Sequence, residues 1–249
     1  MSDFAANGLV LVSPQYLAGG GINKINDVVG PLIHLFSWPY QHDRHSGRIE
    51  VDSPCGSVFL DFAPDRQDGM WWTIAHHDPY WQIRFSRQTP SEAIASVTMT
   101  LPQLLGDRRH ADCIPLATKS VASLAEGRGW NVTATAAGVI WKSPDKHCAV
   151  EHSADPYHPW QITHSVHDGL DTHWTATFTP DTPDRLVAQF FTHLASSIPA
   201  TRVYREVPVI AQTSGSALIS PAKVTTANPY SHHAVTQAAL AHAQTRQRR

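Results

Sequence analysis

The sequence predicts an α+β fold made of two tandem α-β-β-β-β-α repeats, in which helices cover one face of an antiparallel four-stranded meander. The first observation is an internal repeat at a constant spacing of 93 residues. Its members are Trp81, Phe85, Thr89, Pro90 and Ile94, which recur as Trp174, Phe178, Thr182, Pro183 and Val187. A repeat this long indicates two copies of one folding unit, and we expect them to be related by an approximate two-fold axis.

The second observation is the alternation of apolar and polar residues on either side of turn residues, which is typical of β-hairpins. In the first copy the alternating segments run over 48–52 and 57–62, then over 71–76 and 80–86. A helix follows, because Thr89 is suited to the N-cap, Pro90 to the first helical position and Glu92 to a capping box. A weaker helical pattern, 25–38, precedes these strands.

The second copy repeats this order of elements. Strands are expected over 139–141 and 147–151, then over 160–164 and 172–178, and a helix begins at Thr182-Pro183-Asp184. The upstream helical pattern covers 115–130. The spacing between copies falls to 88 residues at Trp72 and Trp160 and returns to 93 at the last strand. Insertions therefore fall in the hairpin loops, where they are best tolerated.

These patterns divide the chain into a first repeat at 10–106, a second repeat at 107–208, and a linker with a basic tail at 209–249. The segment from Val209 to Tyr230 is rich in Ala, Ser, Thr and Pro, as linkers are. After it, an Ala-rich stretch ends in Arg246, Arg248 and Arg249. We expect a flexible tail with local positive charge.

Composition places the chain among globular proteins. Of its 249 residues, 42% are hydrophobic and 16% are charged, and the net charge of −2 does not favour a polyanionic partner for the molecule as a whole. The three cysteines, at positions 55, 113 and 148, lack CxxC spacing. Because the chain also has neither a basic apolar leader nor a long apolar span, we expect a cytoplasmic protein that does not bind membranes.

Three segments resemble the SPDY-domain family. They are the Ser143-Pro144-Asp145 turn, the Trp174-x3-Phe178-x3-Thr182-Pro183 run with its following helix, and the opening stretch 12–21. The resemblance covers about residues 10–200. It implies a domain of unknown function from streptomycetes and related actinobacteria, often present in tandem and often encoded on plasmids. The family has no established activity and therefore implies no catalytic residues. The first copy departs from the pattern at Cys55, where the second copy has Asp145.

The residues predict no catalytic or metal centre. Histidines cluster in the second copy, but the spacing of His147, His152 and His164 matches no structural zinc pattern, so we expect no metal and no cofactor. Cys148 follows His147, yet neighbours on a strand point to opposite faces, which argues against a Cys–His pair. Nucleophile-elbow and phosphate-loop motifs are missing from the sequence.

We therefore expect a non-enzymatic binding protein, with nucleic-acid association, especially DNA, as the first hypothesis. A protein–protein adaptor or chaperone is the alternative, because a meander has exposed edges, and a metal- or cysteine-dependent enzyme is third. Aromatic residues beside cations form stacking platforms for single-stranded nucleic acids, although core packing competes for the same tryptophans. The candidate binding residues are Trp71, Trp72, Arg84, Arg87, Arg108, Arg109, Arg246, Arg248 and Arg249.

Overall fold

The computed structural model describes residues 4–21, 24–165, 172–213, 215 and 217–222. The strands are β1 Leu9–Ser13, β2 Tyr40–His42, β3 Ile49–Asp52, β4 Val58–Phe62, β5 Trp72–His77, β6 Tyr80–Phe85, β7 Asn131–Thr135, β8 Gly138–Lys142, β9 Cys148–Ser153, β10 Trp160–His164, β11 Trp174–Phe178, β12 Ala200–Val203 and β13 Leu218–Pro221. The helices are α1 Ile25–His34, α2 Ser91–Thr98, α3 Leu101–Leu104, α4 Val121–Gly127, α5 Asp184–Leu194 and α6 Val209–Thr213, with a short 3₁₀ helix at Gln15–Leu17.

Ten strands form one antiparallel sheet in the order β2-β3-β4-β5-β6-β11-β10-β9-β8-β7. The α+β class is confirmed, but each half contributes five strands rather than the four that the sequence predicts. The additional strands, β2 and β7, are the two outermost ones, and every residue in them is exposed. Because neither of their faces is buried, they carry little of the apolar alternation that reveals a strand in a sequence.

The two halves of the sheet join where β6 pairs with β11. The register places Phe85 opposite Ala176 and Arg84 opposite Thr177. Arg84 and Thr177 are themselves 93 residues apart, so each faces its own counterpart in the repeat. This can occur only where the two copies meet at an approximate two-fold axis.

Hydrogen bonds around this junction obey the same symmetry. The Gln82 amide donates to Thr179 Oγ1 at 2.7 Å, and its counterpart, the Thr175 amide, donates to Ser86 Oγ at 2.9 Å. In the reverse direction, the Thr179 amide donates to the Gln82 carbonyl at 3.0 Å, and the Ser86 amide donates to the Thr175 carbonyl at 2.9 Å. We call the β6–β11 pair and these four bonds the seam.

Helices pack on one face of the sheet, with α2 against α5 over the seam, α1 against α2 and α4 against α5. Ser96 and Gln189, another pair 93 residues apart, meet there, because Ser96 Oγ donates to the Gln189 carbonyl. Below them, the rings of Phe85, Phe178 and Phe190 stack and pack edge to face. All of these aromatic residues are buried, so the core runs without a break from one copy to the other.

A second, three-stranded sheet has the order β12-β1-β13. It joins the start of the chain to the end of the second copy, since Val10 lies opposite Arg202 on one side and Pro221 on the other. The prediction of a linker from residue 209 is wrong for 209–222, which include α6 and β13. Its low aromatic content concealed a short edge strand. Residues 223–249, and with them the predicted basic tail, lie outside the described residues.

A buried ion pair holds the small sheet on the helical layer. Arg202 of β12 is 2% exposed and pairs with both carboxylate oxygens of Glu92, at 2.5 and 2.6 Å. Its remaining N–H groups donate to the carbonyls of Ala18, Gly19 and Thr201, so all five guanidinium donors are satisfied. Glu92 therefore does not form the predicted capping box. The α2 N-cap position is Pro90, without a side-chain cap.

The glycine run at 19–21 makes room for this arginine. Gly21 has φ +61°, and a Cβ there would lie 2.9 Å from Arg202 Nε. A Cβ at Gly20 would meet the Arg87 carbonyl oxygen at 2.5 Å. Close approach therefore favours glycine at both positions, and at Gly21 the positive φ favours it as well.

Replacing Arg202 with Met should destabilise the protein by about 3–5 kcal/mol, because the buried Glu92 carboxylate would lose its counter-charge. Urea unfolding at neutral pH measures this. Arg205→Met, three residues away and exposed, is the matched control and should change stability little. The double variant Arg202→Met/Glu92→Met should recover part of the loss. If the unfolding free energy of Arg202→Met lay within about 1 kcal/mol of the wild-type value, the ion pair would not be what holds the two sheets together.

The same pair predicts an acid-sensitive fold. Burial raises the pKa of Glu92, but the charge and hydrogen bonds of Arg202 outweigh it, so the pKa lies below its usual value. A carboxyl whose pKa is lowered by folding stabilises the fold above its unfolded pKa, about 4.3. That stability is lost as the pH falls through the lower, folded pKa. Unfolding free energies measured from pH 6 down to the acid transition should fall more steeply for wild type than for Glu92→Gln; equal slopes would contradict the assignment.

Candidate functional site

The sheet face opposite the helices carries a row of ten residues, one from each strand. In sheet order these are Gln41, Glu50, Asp61, Thr73, Arg84, Thr177, Gln161, Glu151, Ile140 and Thr133. Their strand neighbours, such as Ile83 and Phe178, point to the helices and are buried. We call this side of the sheet the open face and this set the open-face row.

The charges of the open face in the first copy are largely paired. Arg84 pairs with Asp68, which also accepts from Arg66 at 3.1 Å. Burial on its own would raise the pKa of Asp68, but the bonds from Arg66, the Met70 amide and Arg84 hold it at about 2. The open face there is a set of ion pairs rather than a field of positive charge.

A second group of ion pairs lies closer to the β2 edge. Arg48 pairs with Asp61 and Glu50, each at 2.8 Å. The open-face row thus contains three acids, Glu50, Asp61 and Glu151, and one base, Arg84. Because the acids and arginines of the first copy neutralise one another, this surface offers a phosphate backbone little attraction.

The two tryptophans predicted to form a stacking platform differ in their exposure to solvent. Trp72 is 5% exposed, and its ring centroid lies 4.4 Å from that of Phe62, so it belongs to the core. Trp71 is half-buried at the surface, where the exposed Arg87 places its guanidinium carbon 4.8 Å from the ring centroid. Trp71 precedes β5, and its ring packs edge to face on the same Phe62 ring at 6.0 Å, at the margin of the core.

The arginines predicted for binding do not form one surface either. Arg109 pairs with Asp107 at 2.6 Å and donates to the Phe36 carbonyl beyond the end of α1. Arg108 is exposed, while Arg84 lies on the open face. The tail residues Arg246, Arg248 and Arg249 lie outside the described residues.

A small cleft lies beside Trp71. It is lined by Gly20, Gly21, Ile25, Phe62, Trp71, Trp72, Arg87 and Ser91 and has a volume of about 20 Å³. This is room for about one water molecule. A nucleic-acid base could therefore stack only on the outer side of Trp71 and Arg87.

The histidines of the second copy surround a buried ring rather than an open site. His164 is buried and stacks on Trp174, with His147 and His173 at ring distances of 6.5 and 5.4 Å. Within the described ranges, no group of three or more His, Cys, Asp or Glu residues has the geometry to hold a metal ion.

The Ser-Pro-Asp turn between β8 and β9 contacts the 3₁₀ helix near the start of the chain. Asp145 accepts hydrogen bonds from Tyr16 at 2.8 Å and from Ser143 at 2.5 Å, and Ser143 Oγ in turn accepts from the Cys148 amide at 2.9 Å. Burial and the neighbouring Asp145 raise the pKa of Tyr16, so the phenol stays protonated and donates. Sequence reasoning missed this contact, because its partners are 129 residues apart.

In the first copy, the equivalent turn carries an exposed thiol. Ser53 accepts from the Val58 amide at 3.0 Å, as Ser143 does from Cys148, but Cys55 replaces the aspartate. The hydroxyls of Ser53 and Ser57 lie 3.4 and 2.9 Å from its Sγ. These bonds lower the pKa of Cys55 to about 7, whereas burial raises that of Cys148. Sequence reasoning considered Cys148, whereas exposure and the lowered pKa favour Cys55 as the more reactive thiol.

Iodoacetamide at pH 7.5 should therefore label Cys55 first, because only a thiolate attacks it. Cys148 should react only after unfolding. Ser57→Ala should raise the Cys55 pKa and slow labelling, while Ser46→Ala, on a different loop, is the control. Peptide mass spectrometry at timed intervals measures each site, and preferential labelling of Cys148 in the folded protein would contradict the assignment.

None of the helices in the described ranges is long and apolar enough to cross a membrane.

No curated protein and no solved structure matches the chain. A family model does match it in two segments, residues 52–103 and 142–200, and its description is SPDY, a domain of unknown function (DUF317). The first segment runs from the last residue of β3 to α3, and the second runs from the last residue of β8 to the first residue of β12. Each half of the ten-stranded sheet therefore contains one segment that matches the SPDY domain.

Proposed function

We propose that this protein is a non-enzymatic binding protein whose open face takes a protein partner. The observation that carries the proposal is the charge pairing of the open-face row. Three arginines, Arg48, Arg66 and Arg84, are already held by acidic residues of the same copy. Side chains so neutralised give hydrogen-bonding specificity to a protein surface but little attraction for phosphates.

The chemistry of the open face also suggests the partner. Around the seam it presents the hydroxyls and amides of Gln82, Thr177, Gln161 and Thr163, which are half-buried or exposed. Glu151, which is half-buried, lies on the second-copy side of this neutral centre. We therefore expect a protein surface with polar side chains at its centre and a basic side chain towards that margin. The three free cysteines support a cytoplasmic setting.

Single-stranded nucleic acid is the second candidate. It is favoured by one observation, the exposed Arg87 guanidinium over the half-buried Trp71 ring. Such a pair can stack a base and contact a phosphate. This surface is separate from the open-face row, so the two candidates make different predictions.

A photo-crosslinking residue placed at Thr177 should capture the partner in cells of the source, whereas the same residue at Ala122 should not. Thr177 lies at the centre of the open face, and Ala122 is exposed on α4 at the helical side. The captured protein is then purified and titrated, and Thr177→Arg should weaken its binding at least about tenfold, a loss near 1.4 kcal/mol. Equal affinity for wild type and Thr177→Arg would exclude the open face.

Fluorescence anisotropy with single- and double-stranded oligonucleotides at low salt tests the second candidate. We expect no salt-sensitive binding of either strand form, because phosphate contacts would release counterions. Binding that falls with added salt and is lost in both Trp71→Ala and Arg87→Ala would instead establish the nucleic-acid function. Tyr80→Ala, another exposed aromatic, is the control.

A further inference from the structure

The two ends of the ten-stranded sheet are protected very differently. At one end, β2 has only three residues, Pro39 precedes it, and the charged residues Asp43 and Arg44 follow it. Short length, proline and charge are the devices by which natural proteins prevent an edge strand from pairing. That end of the sheet is closed to further strands.

The other end lacks these devices. Strand β7 has five residues, Asn131 to Thr135, none of them charged and none of them proline. All five are exposed, and Val132 is 63% exposed. Within the described residues, β8 is its one strand neighbour. The outward amide and carbonyl groups of β7 can therefore accept another strand.

We propose that a second copy of this chain pairs with β7 in antiparallel orientation, so that two ten-stranded sheets become one. The sequence of β7 is complementary to itself in this arrangement. With Thr133 on the two-fold axis, Val132 lies opposite the partner subunit's Ala134, and Asn131 lies opposite the partner subunit's Thr135. Apolar residues meet on the helical face and polar residues on the open face, as strand alternation requires.

The occupant is a second copy rather than an unrelated peptide for two reasons. A symmetric pairing of β7 brings no charge against another charge, since the strand has none. It also repeats what the chain already does at the seam, where two equivalent strands pair antiparallel about an axis that passes between Arg84 and Thr177. A symmetric β7 pair would extend the open-face row without a break from one subunit into the next.

The test compares two substitutions to lysine at equivalent places. Thr133 and Gln41 are the two ends of the open-face row, and both are exposed. Sedimentation velocity of the wild-type chain over a concentration series should show a species of twice the chain mass of 27.4 kDa. Thr133→Lys should weaken this association at least about tenfold, because like charges would lie directly opposite each other across the axis. Gln41→Lys should leave it unchanged.

A mixing experiment separates a specific contact from a folding defect. Thr133→Glu alone should also be monomeric, and an equimolar mixture with Thr133→Lys should form the dimer again, because opposite charges then meet on the axis. Circular dichroism of each variant should match wild type. A wild-type chain that stays monomeric at every concentration, an equal effect of Gln41→Lys, or a mixture that stays monomeric would each overturn the proposal.

Discussion

The pairing of β6 with β11 is the contact on which the rest of the structure depends. Without it, each copy would be a five-stranded sheet in which β6 or β11 is an unpaired edge, and the buried residues Ile83, Phe85 and Phe178 would lie at that edge. Such edges are prone to aggregation. The seam removes both of them at once and leaves only the exposed outer strands as ends of the sheet.

Symmetry at the seam explains which residues the two copies share. Trp81 and Trp174, like Phe85 and Phe178, point into the helical layer, where each copy must supply the same shape. Some of the residues that differ lie on the open face and in the turns. Arg84 faces Thr177, and Cys55 occupies the position of Asp145. The shared residues build the sheet, and the differences decide what each half presents to a partner.

Sequence patterns could predict the duplication, the hairpins and the class of the fold, because each depends on local periodicity. They could not predict the fifth strand of each copy, since β2 and β7 have no buried face. The sequence patterns also could not predict the ion pair that Glu92 forms. Its local context resembles a capping box, but its partner Arg202 lies 110 residues away. For the site, Arg84 and Arg87 were identified as surface groups, whereas their pairing with Asp68 and Trp71 depends on chain geometry that no local pattern records.

Hydrogen exchange of the seam amides is the most direct test of a single continuous sheet. If β6 and β11 pair, the amides of Ser86, Thr175 and Thr179 are bonded across the seam and should exchange as slowly as those of the interior strands β5 and β10. If the two copies were separate domains, these amides would lie on exposed edges. Fast exchange at all three, beside slow exchange in β5 and β10, would contradict the account.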